Sequence, residues 1–483
     1  MNHTEYIPEY EITIGIEVHV QLKTQSKIFC TSPNCASSEP NRNICPVCAG
    51  HPGVLPVLNE EVINSAVMAG LATNCTINTQ SEFARKHYFY PDLPKNYQIT
   101  QSDKPICSEG YITIYKEDGA PKKVRIMRIH IEEDAGKNIH APQSNESFVD
   151  LNRAGTPLLE IVTHPDISSS FEAKAYLKTL RAIVMYLGIN TGNMEEGALR
   201  ADTNVSVRKK GQEKLGTRCE LKNINSFKFI GDAVEYEVAR QIALLESGQE
   251  VRQETRSWDT KEHKTVTLRT KEEAADYRYF PDPDLPLVVI TQEHINAIKS
   301  RMPELPSEKF ERLQKDYNLN TYEADILIND QELTDYFEKA AQKTKSKQLI
   351  NWILRDIMKL VKDQKVALNE LKVTPERLAE LITLLETGII NNRAAQEVFE
   401  EISKTGASAQ EIVKQKGLEQ VGSSEELEAI VKAIVEANPQ EAAEYKAGRD
   451  RLFGFFVGQA MTKTKGKGNP QIINELLKKY LSK

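Results

Sequence analysis

The sequence predicts an α+β fold: strand-rich residues 1–295, a helical region 296–406 and a small all-α tail, 407–483. Three observations lead there. Apolar and polar residues alternate with period two in several stretches of the first 230 positions, the strand signature. Apolar stripes of helical period behind capping residues recur further along, and Gly406 and Gly417 punctuate the entry to the tail. At 483 residues the chain exceeds one ordinary core, so two to four domains are expected.

In Ile12–Leu22 the even positions Ile12, Ile14, Ile16, Val18, Val20 and Leu22 form an apolar face, and Glu17 and His19 share the other. A carboxylate beside an imidazole on one strand face is a candidate divalent-cation site; the alternative is a solvated sheet face. The pattern recurs. His130 and Glu132 share a face in Val124–Glu133, where Glu132, Glu133 and Asp134 form an acidic run. Arg200, Asp202, Asn204 and Ser206 alternate with Thr203, Val205 and Val207, and Arg218, Glu220 and Lys222 alternate with Cys219 and Leu221. Glu160 stands within Leu158-Leu159-Glu160-Ile161-Val162, where a lone carboxylate is costly to bury unless paired or metal-bound. Together these strands imply a polar cleft over a sheet. Its oxygen-rich ligands favour Mg²⁺ over zinc. Arg200, Asp202, Asn204, Ser206 and Lys222 are the candidates for nucleotide or phosphate.

Two helices are explicit. Over 169–187, Ser169 and Glu172 have capping-box spacing, Leu177, Leu180, Ile183, Val184 and Leu187 form the stripe, and Gly188 ends it. Thr374-Pro375-Glu376 starts another, with Leu378, Leu381, Ile382 and Leu385 on one face.

Four of the seven cysteines, Cys30, Cys35, Cys45 and Cys48, fall within nineteen positions, at a spacing compatible with a structural zinc site. Such a site leaves no open catalytic position. The first residues carry no basic and apolar leader, and no run reaches the ~18 apolar residues of a membrane span, so a cytoplasmic protein is expected. A net charge of −7 argues against a nonspecific nucleic-acid coat, although a local basic face can still grip RNA. From Glu441 to Lys483 nine Lys or Arg face four Asp or Glu, and Lys463, Lys465 and Lys467 alternate in a loop suited to phosphate contacts. No G-x-x-x-x-G-K-[ST] and no G-x-S-x-G occurs, so neither a P-loop nor that nucleophile elbow is expected.

The segments GIEVHVQLKTQSKIFC, ICPVCAGHPGVLP, FARKHYFYPDLPKNYQITQ, HIEEDAGKNIH, VDLNRAGTPLLEIV, MEEGALRADTNVSV, ELKNINSF and DYRYFPDPDLP, with the tail GFFVGQAMTKTKGKGNPQIINELL, resemble the GatB family of tRNA-dependent amidotransferase subunits along the whole chain. The resemblance implies a cradle-like catalytic domain akin to glutamine-synthetase-type ligases, then a helical domain and a tail that contacts tRNA. It implies ATP with Mg²⁺, phosphorylation of the side-chain carboxylate of Glu or Asp carried on tRNA, and ammonia supplied by a partner amidase, with a small third chain completing a heterotrimer. It places the catalytic metal ligands on Glu17, His19, Glu132 and Glu160, with Glu133 adjacent. It also places an ammonia gate on Lys86, Tyr88 and Lys95, which otherwise read as a solvated loop. A zinc-containing RNA adaptor is the rival from another class, and the repeated carboxylate faces count against it. A small-molecule carboxylate–amine ligase leaves the helical region and basic tail unexplained.

Overall fold

The alternation of Ile12–Leu22 becomes the central strand of the largest sheet in the protein, a computed structural model that describes residues 9–35, 39–140, 146–270, 276–420, 424–464 and 468–482. Contacts divide the chain into two units, 1–309 and 310–483. The architecture is mixed α+β.

The first unit holds the strands. They are Tyr10–Gln21 (β1), Thr76–Ile77 (β2), Gln80–Ser81 (β3), Ala84–His87 (β4), Tyr97–Thr100 (β5), Cys107–Tyr115 (β6), Pro121–Glu133 (β7) and Lys137–His140 (β8). There follow Ser147–Asp150 (β9), Pro157–Thr163 (β10), Leu199–Lys209 (β11), Cys219–Ile224 (β12), Glu254–Asp259 (β13), Lys264–Thr270 (β14), Phe280–Pro281 (β15) and Val288–Val289 (β16). Nine of them form one sheet in the order β14-β13-β12-β11-β1-β10-β7-β6-β2, and β15-β4-β5 form a smaller one. β12 and β13 run parallel; the other neighbours in the large sheet are antiparallel.

The predicted apolar positions of β1 are buried from Ile14 to Leu22, and they face helices Glu60–Ala72 (α1), Ser170–Tyr186 (α2) and Phe227–Glu246 (α3) across one core. With one face sealed by apolar packing, the register is set, because a one-residue slip would expose every buried side chain of the strand. Ser169 caps α2, its Oγ accepting from Glu172 N at 3.1 Å. The reciprocal half of the box is absent: the Glu172 carboxylate accepts instead from Ser168 N at 2.8 Å and Lys122 Nζ at 2.7 Å. The carboxylate is shared between the Ser168 amide and Lys122, 50 positions away in the chain.

The second unit is built of helices around two apolar clusters, one spanning Phe310 to Val413 and one Leu427 to Leu481. Helix Pro375–Glu386 begins at Thr374, whose Oγ1 accepts from Arg377 N at 3.4 Å, and buries Leu378, Leu381 and Ile382. Gly406 and Gly417 end their helices with φ of 74° and 58°, a left-handed turn that a Cβ would strain. Lys463 closes helix Leu452–Lys463; Lys465 and Lys467 lie outside the described residues. Among the described residues no helix is long and apolar enough to cross a membrane.

Candidate active site

The other face of the large sheet is polar, and register gathers it into rows. Arg200, His19, Glu160 and His130 are cross-strand neighbours on β11, β1, β10 and β7. Asp202, Glu17, Val162, Arg128 and Ser108 form the next row, which reaches β6. Residues more than 180 positions apart in the chain thus stand about 5 Å apart per strand.

The first row, joined by Glu132 two residues along β7 from His130, holds a tight cluster. His19 Nε2 lies 3.1 Å from Glu132 Oε1 and 3.5 Å from Glu160 Oε2. His130 Nε2 lies 3.0 Å from Glu160 Oε2, and Thr100 Oγ1 donates to Glu132 at 3.3 Å. One ligand atom each from His19, Glu132 and Glu160 falls within 4.8 Å of the others. Burial works against the charge of His19, but hydrogen bonds to Glu132 and Glu160 lift its pKa to about 10. His130 rises to about 9, where the Glu160 charge overcomes burial. Burial and Glu160 oppose ionisation of Glu132, yet bonds from His130 and His19 hold it at about 2. Protons on two imidazoles therefore supply the positive charge that two buried carboxylates require. A hard divalent cation fits the same donor set and would displace those protons.

Glu17 lies outside this trio. Asn204 Nδ2 donates to it at 3.2 Å; burial, then repulsion from Glu160, Asp202 and Glu220, raises its pKa. Lys222 Nζ sits 2.5 Å from Asp202 and 3.1 Å from Glu220. Of the nucleotide candidates, Asp202, Asn204 and Lys222 therefore gather beside Glu17. Arg200 is drawn away, its Nη2 donating to Asp134 at 2.8 Å, and Ser206 Oγ donates to Thr13 O at 3.4 Å. Each of the two cations among these candidates, Arg200 and Lys222, is held by a carboxylate of the protein.

β4, β5 and the chain after them bring in the predicted gate residues. Lys86 Nζ lies 4.9 Å over the Tyr277 ring, and the Glu132 charge raises its pKa against burial. Burial, then the charge of Glu132, pushes the Tyr88 phenol up. Lys95 pairs with Glu133, which also accepts from Ile99 N at 2.9 Å, so Glu133 is spoken for outside the cluster. Lys95 and Glu133 line a cavity of about 190 Å³ with Cys30, Cys48 and Gly155.

That cavity adjoins the cysteine loop. Cys30, Cys45 and Cys48 converge within 4.8 Å, but Cys35 does not join them. It is exposed, with Asn43 Nδ2 3.5 Å from its sulfur, while its neighbour Asn34 is tied to Leu22 O at 2.8 Å. The four-thiolate set is thus three thiols here, which still fit a thiophilic ion with one further ligand. A hydrogen bond from Cys30 stabilises the Cys48 thiolate against burial and brings its pKa to about 4. Lys27, fully buried, places Nζ 3.6 Å from Cys48 Sγ and donates to Asn43 O at 2.7 Å. A buried ammonium needs an anion, and the thiolate supplies it. Gly50, at φ 68°, lets the loop approach the chain at Lys95: a Cβ would stand 3.0 Å from Lys95 N.

His130, Asp134, Glu220 and Lys27 receive no role from the sequence alone. The first three lie in acidic or alternating strand patterns and are legible as face residues. Lys27, in a polar loop, carries no signal.

Residues 12–296 match the GatB/GatE catalytic domain family and residues 335–481 the GatB domain family. Proteins named as the B-type subunit of aspartyl/glutamyl-tRNA(Asn/Gln) amidotransferase are similar along their length. That of Thermodesulfovibrio yellowstonii is 50% identical over 474 residues, 98% of this chain and 99% of the relative. That of Myxococcus xanthus is 50% identical over 476 residues, and that of Brachyspira hyodysenteriae 48% over 481, covering 98% of this chain in both cases and 99% and 100% of the relatives. Matches to both domain families, with half the residues shared along almost the entire length of both chains, place this chain in the GatB family of aspartyl/glutamyl-tRNA(Asn/Gln) amidotransferase subunits.

Proposed function

We propose that the chain is the component of a tRNA amidotransferase that activates the side-chain carboxylate of Glu-tRNA(Gln), Asp-tRNA(Asn) or both. ATP transfers its γ-phosphoryl to the carboxylate, giving an acyl phosphate and ADP. Ammonia then attacks the acyl carbon, phosphate leaves, and Gln-tRNA or Asn-tRNA is released. Phosphorylation is needed because oxide is a poor leaving group from a carboxylate.

One observation carries this reading: His19, Glu132 and Glu160 converge on a polar sheet face beside Glu17 and Asp202, in a chain of this family. Magnesium held by Glu132, Glu160 and His19, with Glu17 beside them, would neutralise the crowded phosphate charge. Thr100 and His130 orient the two central carboxylates, and Asn204 orients Glu17. Asp202, Asn204, Ser206, Arg200 and Lys222 form the nucleotide side of the cleft. Lys222 reaches phosphate by exchanging its bonds to Asp202 and Glu220. Lys86, Tyr88 and Lys95 line the ammonia route, the Lys95–Glu133 pair standing at the cavity beside the cysteine loop. That loop holds Zn²⁺ as a structural ion.

The strand-rich part, residues 1–295, serves as a cradle of glutamine-synthetase-like type. Residues 296–406 form a helical domain, and the tail from 407 contacts tRNA through Lys463, Lys465 and Lys467. Ammonia comes from a partner amidase, and a small third chain completes a cytoplasmic heterotrimer.

The test is to co-express the chain with its amidase and small partners and supply Glu-tRNA(Gln), ATP, Mg²⁺ and glutamine. Glu132→Ala and Glu160→Ala abolish transamidation while glutaminase activity persists. Full amidation by either variant sinks the proposed site.

A further inference from the structure

The second row of the polar face carries on β7 a cation that no carboxylate among the described residues pairs with. Arg128 on β7 lies two residues before His130, on the same side of the strand, with Val162 and Ser108 as its cross-strand neighbours. Two residues of strand put it roughly 7 Å along from His130, at the edge of the carboxylate cluster. A one-residue irregularity just before it in the chain, where Val162 pairs with Arg128 but Thr163 pairs with Ile126, puts Ile126 and Val124 in the apolar core.

The other cations of this face are committed. Arg200 is held by Asp134, Lys222 by Asp202 and Glu220, and Lys95 by Glu133. Lys86 lies over the Tyr277 ring. Among the described residues Arg128 has no carboxylate within ion-pair distance, and its Nε is buried without a hydrogen-bond partner. A buried guanidinium donor left open is unfavourable unless something outside the protein accepts from it.

Arg128 lines a pocket of about 590 Å³ together with Ser108, Asn78, Ser102, Asp103 and Lys104. The other charges there are partly spoken for: Lys104 pairs with Glu82 at 3.0 Å, and Asp103 accepts from Ser102 Oγ at 3.2 Å. The pocket therefore offers one uncommitted guanidinium, with hydroxyl and amide groups around it. A guanidinium fork matches two oxygens of a phosphate, and its charge offsets the repulsion that the neighbouring glutamates impose on an anion.

We propose that Arg128 binds a phosphate oxyanion in this pocket, on the row that contains Glu17 and Asp202. The inference rests on the reading that the chain activates a carboxylate with ATP. The oxyanion belongs either to the nucleotide or to the tRNA backbone, and the chemistry of recognition is the same for both.

The experiment uses Arg128→Met and Arg128→Lys in the assembled enzyme, with KM for ATP and for Glu-tRNA(Gln) measured separately. Losing a charge-assisted bidentate contact raises the affected KM by about tenfold or more. The lysine variant, which keeps the charge without the fork, falls between. A rise confined to ATP assigns the oxyanion to the nucleotide; a rise confined to tRNA assigns it to the backbone. If both constants stay within twofold of the parent, the proposal is overturned. A second readout stands apart from activity. Tripolyphosphate raises the melting temperature of the full-length parent chain and not that of Arg128→Met; equal shifts in both also overturn it. Should the parent enzyme form no ADP with charged tRNA, the functional reading fails, and the tripolyphosphate arm still decides the role of Arg128.

Discussion

The large sheet carries a buried polar cluster on each face, built from similar residues with opposite balance. On the helix side, Glu237 of α3 accepts from Arg240 Nη2 at 2.6 Å, Gln241 Nε2 at 2.9 Å and Thr265 Oγ1 at 3.0 Å, and lies 3.3 Å from Arg256. Glu254 completes it, 2.8 Å from Arg256 and accepting from Thr267 Oγ1 at 2.7 Å. Two carboxylates meet two guanidiniums, and their hydrogen bonds are filled. On the polar face the ion partners of Glu132 and Glu160 are imidazoles among the described residues, and Glu17, Asp202 and Glu220 crowd around Lys222. A closed network holds the fold. An open one, whose charge is balanced by protons that a cation can replace, is a place to bind something.

Substitutions separate the two. The largest effect expected is on activity. Glu132→Gln lowers transamidation by about a thousandfold, near 4 kcal/mol of transition-state stabilisation, while urea stability changes by less than about 1 kcal/mol. A stability loss matching the activity loss would erase the distinction. Glu237→Ala does the reverse, leaving two buried guanidiniums short of an anion. Urea unfolding followed by tryptophan fluorescence should show a loss of about 3–5 kcal/mol, with kcat per folded molecule retained.

The pH dependence of that loss sharpens the point. Burial opposes the Glu237 charge, but its bonds to Arg240 and Gln241 win and hold its pKa below the ordinary glutamate value of 4.5. Its contribution is therefore present above the unfolded pKa and disappears as pH falls through the folded one. The stability gap between parent and Glu237→Gln should be constant near neutrality and close on the acid side of about pH 4. A gap that widens on acidification would contradict the assignment. The smallest effect tests a purely local device. Ser169→Ala removes the cap of α2 and should lower the melting temperature by an amount equivalent to about 1 kcal/mol, leaving both clusters and the activity intact.

Much of this is legible in the sequence because strand phasing is a local property. Glu17 and His19 have to share a face once Ile14, Ile16, Val18 and Val20 are buried. The caps at Ser169 and Thr374 and the left-handed glycines at 406 and 417 follow from neighbours in the chain. Other features depend on distant chain. Arg200 shares its face with Asp202 as phased, but Asp134, from a loop 66 positions away, decides where its guanidinium goes. Cys35 has zinc-ligand spacing, yet it stands outside the three thiols that converge. Lys27 carries no signal in the sequence and is fully buried against Cys48.

By itself, then, the sequence determined which residues face together along each strand, where helices start and stop, and which family the chain belongs to. Period and capping act between neighbours, so composition over a few positions suffices. Only the tertiary structure decided which strands lie side by side, since pairing β1 with β10 and β11 joins segments well over a hundred positions apart. That pairing turns separate carboxylates into one cluster, leaves Glu17 at its margin, and among the described residues commits Arg200, Lys222 and Lys95 to carboxylates while Arg128 has none. Charge balance is a property of the assembled face, and no single strand contains it.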